Sequence, residues 1–219
     1  MGKTKGEGTS MKQLVAFVYA VLAGISISIG GLVFLSSESR AVGAVMFSVG
    51  LFAVCTLGLG LFTGRVCYVF DNPPAYTAEC LLIWLGNLAG AFLAGSAVRL
   101  TRLSAVAEKA QALSGTKLED SPLSVFILAV FCNILIYLAV ESYRNNPHQL
   151  GKYLGMLLGV SVFVLAGLEH CVANMFYFTA GGAWSLHALL YIGIMTAGNA
   201  LGGVLFPLCR KLKAYSEGK

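Results

Sequence analysis

Two of the six apolar runs in this chain are too long for a single helix and carry polar motifs near their middles. That feature constrains the fold more than any other. A membrane span needs about 20 apolar residues, and such runs lie at roughly 13–35, 41–70, 77–100, 122–141, 152–180 and 185–209. Between them stand Ser36-Ser37-Glu38-Ser39-Arg40, Asp71-Asn72-Pro73-Pro74, a polar stretch at 101–121, Arg144-Asn145-Asn146-Pro147-His148 and Gly181-Gly182, all read here as loops. The second run contains Gly58-Leu59-Gly60-Leu61-Phe62-Thr63-Gly64-Arg65, and the fifth Gly167-Leu168-Glu169-His170-Cys171-Val172-Ala173-Asn174-Met175. Non-helical backbone at membrane depth is tolerated only where protein or a water-filled cavity covers it. Two such breaks predict a central pathway.

Composition excludes the alternatives. Hydrophobic residues make up 57% of the chain and charged residues 11%, against about 25% charged in a soluble domain. The 26 glycines follow no triplet period, and the apolar content is too high for disorder. The expectation is an all-α integral membrane protein with a cytoplasmic segment at 1–12, a six-span domain at 13–209 and a basic cytoplasmic tail at 210–219. The first run, at roughly 22 residues, is too long for a signal peptide and no soluble domain follows it. On the predicted inner side stand Lys3, Lys5, Lys12, Arg65, Arg144, Lys152, Arg210, Lys211, Lys213 and Lys219; on the outer, Arg40, Arg99, Arg102, Lys109 and Lys117. This excess predicts both termini inside, although the basic cluster at 99–117 runs against it. No basic stripe with interleaved aromatics points to nucleic acid. The six cysteines form no C-x-x-C pair and read as reduced packing residues. His148 and His187 share no ligand spacing with His170, so neither a metal nor a cofactor is expected.

An internal repeat accompanies the breaks. Gly86-Asn87-Leu88-Ala89-Gly90 in the third run returns as Gly198-Asn199-Ala200-Leu201-Gly202 in the sixth, each following its break at a similar distance. Three spans per repeat is an odd number, so the halves must be inverted. Broken helices at matching places in inverted halves point to a transport site near the midplane. The same glycines could also serve only close helix packing.

At these motifs the chain resembles the formate/nitrite transporter family, whose members include hydrosulfide channels. The likeness rests on L-F-T-G at 61–64, W-L-G-N-L-A-G at 84–90, C-N at 132–133, E-H-C-V-A-N-M at 169–175 and G-N-A-L-G-G at 198–203. It implies an aquaporin-like fold of six transmembrane helices in two inverted three-helix repeats, helices two and five broken. It also implies one pore per protomer and a homopentamer. The N-terminal segment and the loop between spans five and six are shorter than the family pattern.

An ionisable residue inside a span usually faces a bundle interior or cavity. His170 is therefore the leading candidate, able to donate to an anion as a neutral ring or to relay a proton; a bond to Glu169 or a backbone carbonyl is the plain alternative. The family likeness places His170 at the centre of the pore and Thr63 across from it. Thr63 also suits a helix cap. Asn199 and Asn133 are further candidate donors, whereas Asn174 suits freed backbone groups at its own break. Phe47 and Leu51 share a helix face. The likeness makes them constriction residues together with Leu61, Phe62 and Phe163; singly, each reads as core or lipid-facing surface. Lys117 has the spacing of the family's vestibule lysine, where a fixed charge would concentrate anions, with Arg99, Arg102 and Lys109 adding to the field.

The function expected is a channel or proton-coupled transporter for small monovalent weak-acid anions in the inner (cytoplasmic) membrane. Formate is favoured, with hydrosulfide or nitrite as alternatives. A membrane-embedded enzyme would need a nucleophile motif that is absent, and neighbouring helix residues such as Glu169 and His170 point apart. A water or glycerol channel would carry an asparagine-proline pair at each break, and neither break contains proline.

Overall fold

The computed structural model describes residues 5–218, with side chains from Ser10 onward. The described residues are helical apart from short connections: α1 (Lys5–Ser36), α2 (Arg40–Thr56), α3 (Phe62–Arg65) continued by a 3-10 segment (Val66–Asp71), α4 (Ala75–Arg99), α5 (Ser104–Glu119), α6 (Pro122–Asn145), α7 (Gln149–Leu165), α8 (Cys171–Ala180) and α9 (Leu186–Ser216). Serines stop the unwinding at three starts. The hydroxyls of Ser39, Ser121 and Ser185 accept the N–H of Val42, Ser124 and Ala188, satisfying donors that a helix start leaves free. Pro122 adds a first-turn residue with a preset φ.

Four stretches are long and apolar enough to cross a bilayer: Ser10–Ser36, Ala75–Arg99, Pro122–Asn145 and Leu186–Ser216. The second and fifth predicted spans are each divided, as α2 with α3 and as α7 with α8. Large apolar side chains such as Leu81, Phe92, Leu158 and Leu190 stand exposed on the outer faces, the surface a lipid-solvated bundle presents.

Two features depart from the expected layout. The polar stretch 101–121 is not a loop but mostly α5, whose Val106, Ala110, Ser114 and Lys117 are buried; Ala110, Ser114 and Lys117 share one stripe at i, i+4, i+7. The basic residues after 209 do not form a separate tail within the described chain, because α9 continues unbroken to Ser216.

The glycine–asparagine repeat returns as matching contacts. A Cβ on Gly90 would collide with the Val21 carbonyl of α1, and one on Gly202 with the Val130 carbonyl of α6. Glycine at both positions lets α4 lie against α1, and α9 against α6, at backbone distance.

Candidate functional site

The backbone of the two breaks is built alike. At the end of α2 the Leu57 and Leu59 N–H groups return to the Ala53 and Val54 carbonyls (3.0 and 2.9 Å); at the end of α7 Ala166 and Leu168 return to Val162 and Phe163 (2.9 and 3.0 Å). Gly58 and Gly167 take φ of +65° and +70°, the left-handed turn that ends a helix at little cost only with glycine.

An asparagine then spans each gap. Asn87 donates to the Ala20 and Gly60 carbonyls, both at 2.8 Å, and accepts from the Phe62 N–H at 2.8 Å. Asn199 donates to the Ala129 and Glu169 carbonyls, both at 2.8 Å, and accepts from the Cys171 N–H at 2.9 Å. Buried backbone groups freed by a break must find partners, and one fully buried amide per half supplies them.

His170 caps α8. Its Nδ1 accepts the Ala173 N–H at 3.2 Å, and a nitrogen that accepts carries no proton, so the neutral ring holds its hydrogen on Nε2. Nε2 lies 3.0 Å from Thr63 Oγ1 and donates to it. That leaves the Thr63 hydroxyl hydrogen, for which no acceptor stands among the described residues. Both side chains are buried. Phe163 stacks on the imidazole, with ring centroids 5.7 Å apart and planes at 19°, and Phe47 meets Phe163 edge-on at 5.6 Å.

Two clefts lie near this pair; His170 lines the smaller, and Thr63 lines neither. One of about 110 Å³ is lined by Leu51, Leu61, Arg65, Tyr143 and Arg144 among others; one of about 50 Å³ by Arg40, Lys117, Phe163, His170 and Asn174 among others. Helix α2 begins at Arg40 in the smaller cleft and ends beside Gly58 in the larger, so the clefts lie at its opposite ends. The residues expected at constrictions are all buried. Leu51 and Leu61 line the larger cleft and Phe163 the smaller, while Phe47 and Phe62 line neither; Phe47 packs behind Phe163, and Phe62 meets Asn87 through its backbone.

Three candidate residues have geometries other than those expected. Lys117 reaches the smaller cleft but is buried, with Nζ 2.6 Å from Glu169 Oε2. Its charge is matched by a carboxylate and is not a free charge at a mouth. The amide of Asn199 is fully used in holding its break, as above. Asn133 donates to the Thr63 carbonyl at 3.1 Å and the Asn199 carbonyl at 2.7 Å, which leaves no amide hydrogen for an ion; its Oδ1 has no partner among the described residues. Glu169 is bound by Lys117 and by Asn174 Nδ2 (2.7 Å), not by His170. Arg40 and Arg144 were not readable as cleft residues, since only the packing of α2 and α6 brings them there. Asn87 carried a signal, as the repeat partner of Asn199. Among the described residues no cluster of acids, histidines and cysteines could hold a metal, and the six cysteines are free thiols.

Residues 2–211 match the formate/nitrite transporter family. The chain belongs to that family. It is 32% identical over 180 residues to the uncharacterized transporter YrhG of Bacillus subtilis, covering 77% of this chain and 65% of that one. It is 29% identical to a probable formate transporter of Methanothermobacter thermautotrophicus, covering 88% and 85%. Identity to the formate channel FocA of Escherichia coli K12 is 28%, covering 77% and 66%. Among solved structures, a pentameric formate channel with formate bound superimposes with a TM-score of 0.79 at 24% identity, covering 94% of this chain and 98% of that one. An FNT family ion channel gives 0.81 at 23% identity, covering 90% and 89%. These structures establish the fold. The formate/nitrite transporter assignment makes the chain a multi-pass membrane protein, its apolar helices crossing the bilayer.

Proposed function

We propose that this formate/nitrite transporter is a channel for small monovalent weak-acid anions, formate foremost, working as a homopentamer in the cytoplasmic membrane with both termini inside. The observation that carries the reading is the Thr63–His170 pair. A hydroxyl hydrogen without a protein acceptor stands where the two breaks meet, with the smaller cleft bounded by its partner His170 and the larger by Leu61 and Gly64, on either side of Thr63 in the chain. The names of the formate channels and formate transporter among its relatives favour formate, and the pentameric relative favours five copies. The halves would be inverted, because each contributes three crossings.

The steps follow from the groups present. An anion entering a cleft loses water as it meets Phe163, backed by Phe47, from one side or Leu51 and Leu61 from the other. Burying a full charge there is costly, so a hydrogen-bond donor inside matters. Neutral His170 holds the Thr63 oxygen through Nε2–H, and the hydroxyl hydrogen is left to the ion. Protonating Nδ1 to make an imidazolium would forfeit the bond from Ala173 N–H, which favours a donor role over a proton relay. A weak acid has a second advantage. A carboxylic acid titrates near 4, so a small neutral fraction always exists and crosses an apolar ring without the charge penalty.

The test is the initial flux of radiolabelled formate, nitrite, hydrosulfide and chloride into proteoliposomes of the purified protein. Formate should exceed chloride severalfold at equal concentration and pH. Osmotic water flow with no anion flux, or chloride passing as fast as formate, would overturn the reading.

A further inference from the structure

The larger cleft contains a feature that the Thr63–His170 pair does not use. Arg65, in the last turn of α3, and Arg144, in the last turn of α6, both line it, and no carboxylate does. Neither arginine forms an ion pair among the described residues. The acid closest in sequence to Arg144 is Glu141, and it is taken up elsewhere. It accepts from Tyr68 Oη at 3.0 Å, from Asn145 Nδ2 at 2.9 Å and from Arg210. The Arg144 guanidinium lies over the Tyr68 ring, 5.0 Å from its centroid, which fixes it without neutralising it. The smaller cleft differs: its buried lysine is matched by Glu169, and its Arg40 donates to the Leu165 carbonyl at 3.1 Å.

We infer that Arg65 and Arg144 form an anion-receiving site in this cleft, selective for planar two-oxygen anions such as carboxylate and nitrite over single-centre anions. The inference rests on the channel reading above and adds a residue-level basis for choosing among its substrates. A guanidinium presents parallel N–H groups that match a carboxylate edge in a bidentate pair, whereas an ammonium acts as a point charge. A cleft lined by one sign of charge raises the local concentration of the opposite ion. Leu51 and Leu61 line the same cleft, so a captured ion already touches the apolar residues it must pass. In the proposed orientation this is the cytoplasmic mouth.

The test compares Arg65→Gln/Arg144→Gln with Arg65→Lys/Arg144→Lys and native protein in oriented vesicles, with formate or hydrosulfide added on either face. The Gln pair should raise the formate concentration for half-maximal flux roughly tenfold from the Arg65 face only, at low ionic strength, with maximal flux kept. The Lys pair should restore hydrosulfide flux fully and formate flux only in part. Should the Gln pair fail to assemble, the Lys pair still reports the selectivity. Unchanged half-saturation in the Gln pair, an equal rise from both faces, or a Lys pair identical to native for both ions would each overturn the inference. Native protein that passes no anion would instead overturn the channel reading.

Discussion

The two breaks share a backbone and differ in what they display. Residues 57–62 and 166–171 make the same turns, use a glycine at the same point and hang from an asparagine by the same three bonds. At equivalent places, 109 residues apart, the first offers Gly60, Leu61 and Thr63 where the second offers Glu169, His170 and Val172. Each polar side chain of the central pair therefore has an apolar residue as its counterpart in the other half, Val172 for Thr63 and Leu61 for His170. The lesson is that breaking a helix and lining a pore are separable tasks. The asparagine cradle does the first identically twice, and a few side chains then make the pore chemically asymmetric.

The sharpest difference predicts the largest effect. Glu169 brings a buried carboxylate that Lys117 matches, whereas Gly60 brings no side chain. Removing one partner of a buried pair costs about 3–5 kcal/mol. Lys117→Met should accordingly lower the thermal unfolding midpoint strongly in detergent, and Lys117→Met with Glu169→Gln should recover most of the loss. A Lys117→Met protein with native stability, whose flux falls only at low salt, would restore the free vestibule charge in place of the ion pair.

The shared device predicts a smaller, symmetric effect. Asn87→Leu and Asn199→Leu each remove three hydrogen bonds and strand buried backbone groups, a loss of about 3 kcal/mol at the low end of the roughly 1–3 kcal/mol that each stranded group costs. The two losses, read as unfolding midpoints in the same detergent, should agree closely. A large drop for one asparagine and none for the other would break the equivalence of the two cradles.

This pairing also shows how far the sequence could be read. The two interruptions, the glycine–asparagine repeat and the His170 motif were legible because breaks and charges inside apolar runs are costly and therefore conspicuous. Thr63 facing His170 came from family likeness, since the residues are 107 positions apart. The uses of Asn133 and Asn199 were not legible. An amide reads equally as an ion ligand and as a partner for freed carbonyls, and only distances decide between them. Lys117 illustrates the same limit: a lysine in a polar stretch looks solvated until α5 folds and carries it, buried, to Glu169. The polar composition of α5 hid a helix because its buried stripe itself includes Ser114 and Lys117.

Formate flux through Thr63→Val, with Thr63→Ser as control, tests most directly whether the free hydroxyl hydrogen of Thr63 serves the ion. Valine keeps the shape and loses the donor. A hydrogen bond to a charged group is worth about 1.5–3 kcal/mol, so flux through the valine variant should fall roughly 10- to 100-fold while the serine variant stays near native. Valine protein that assembles normally and carries formate at the native rate would contradict the account.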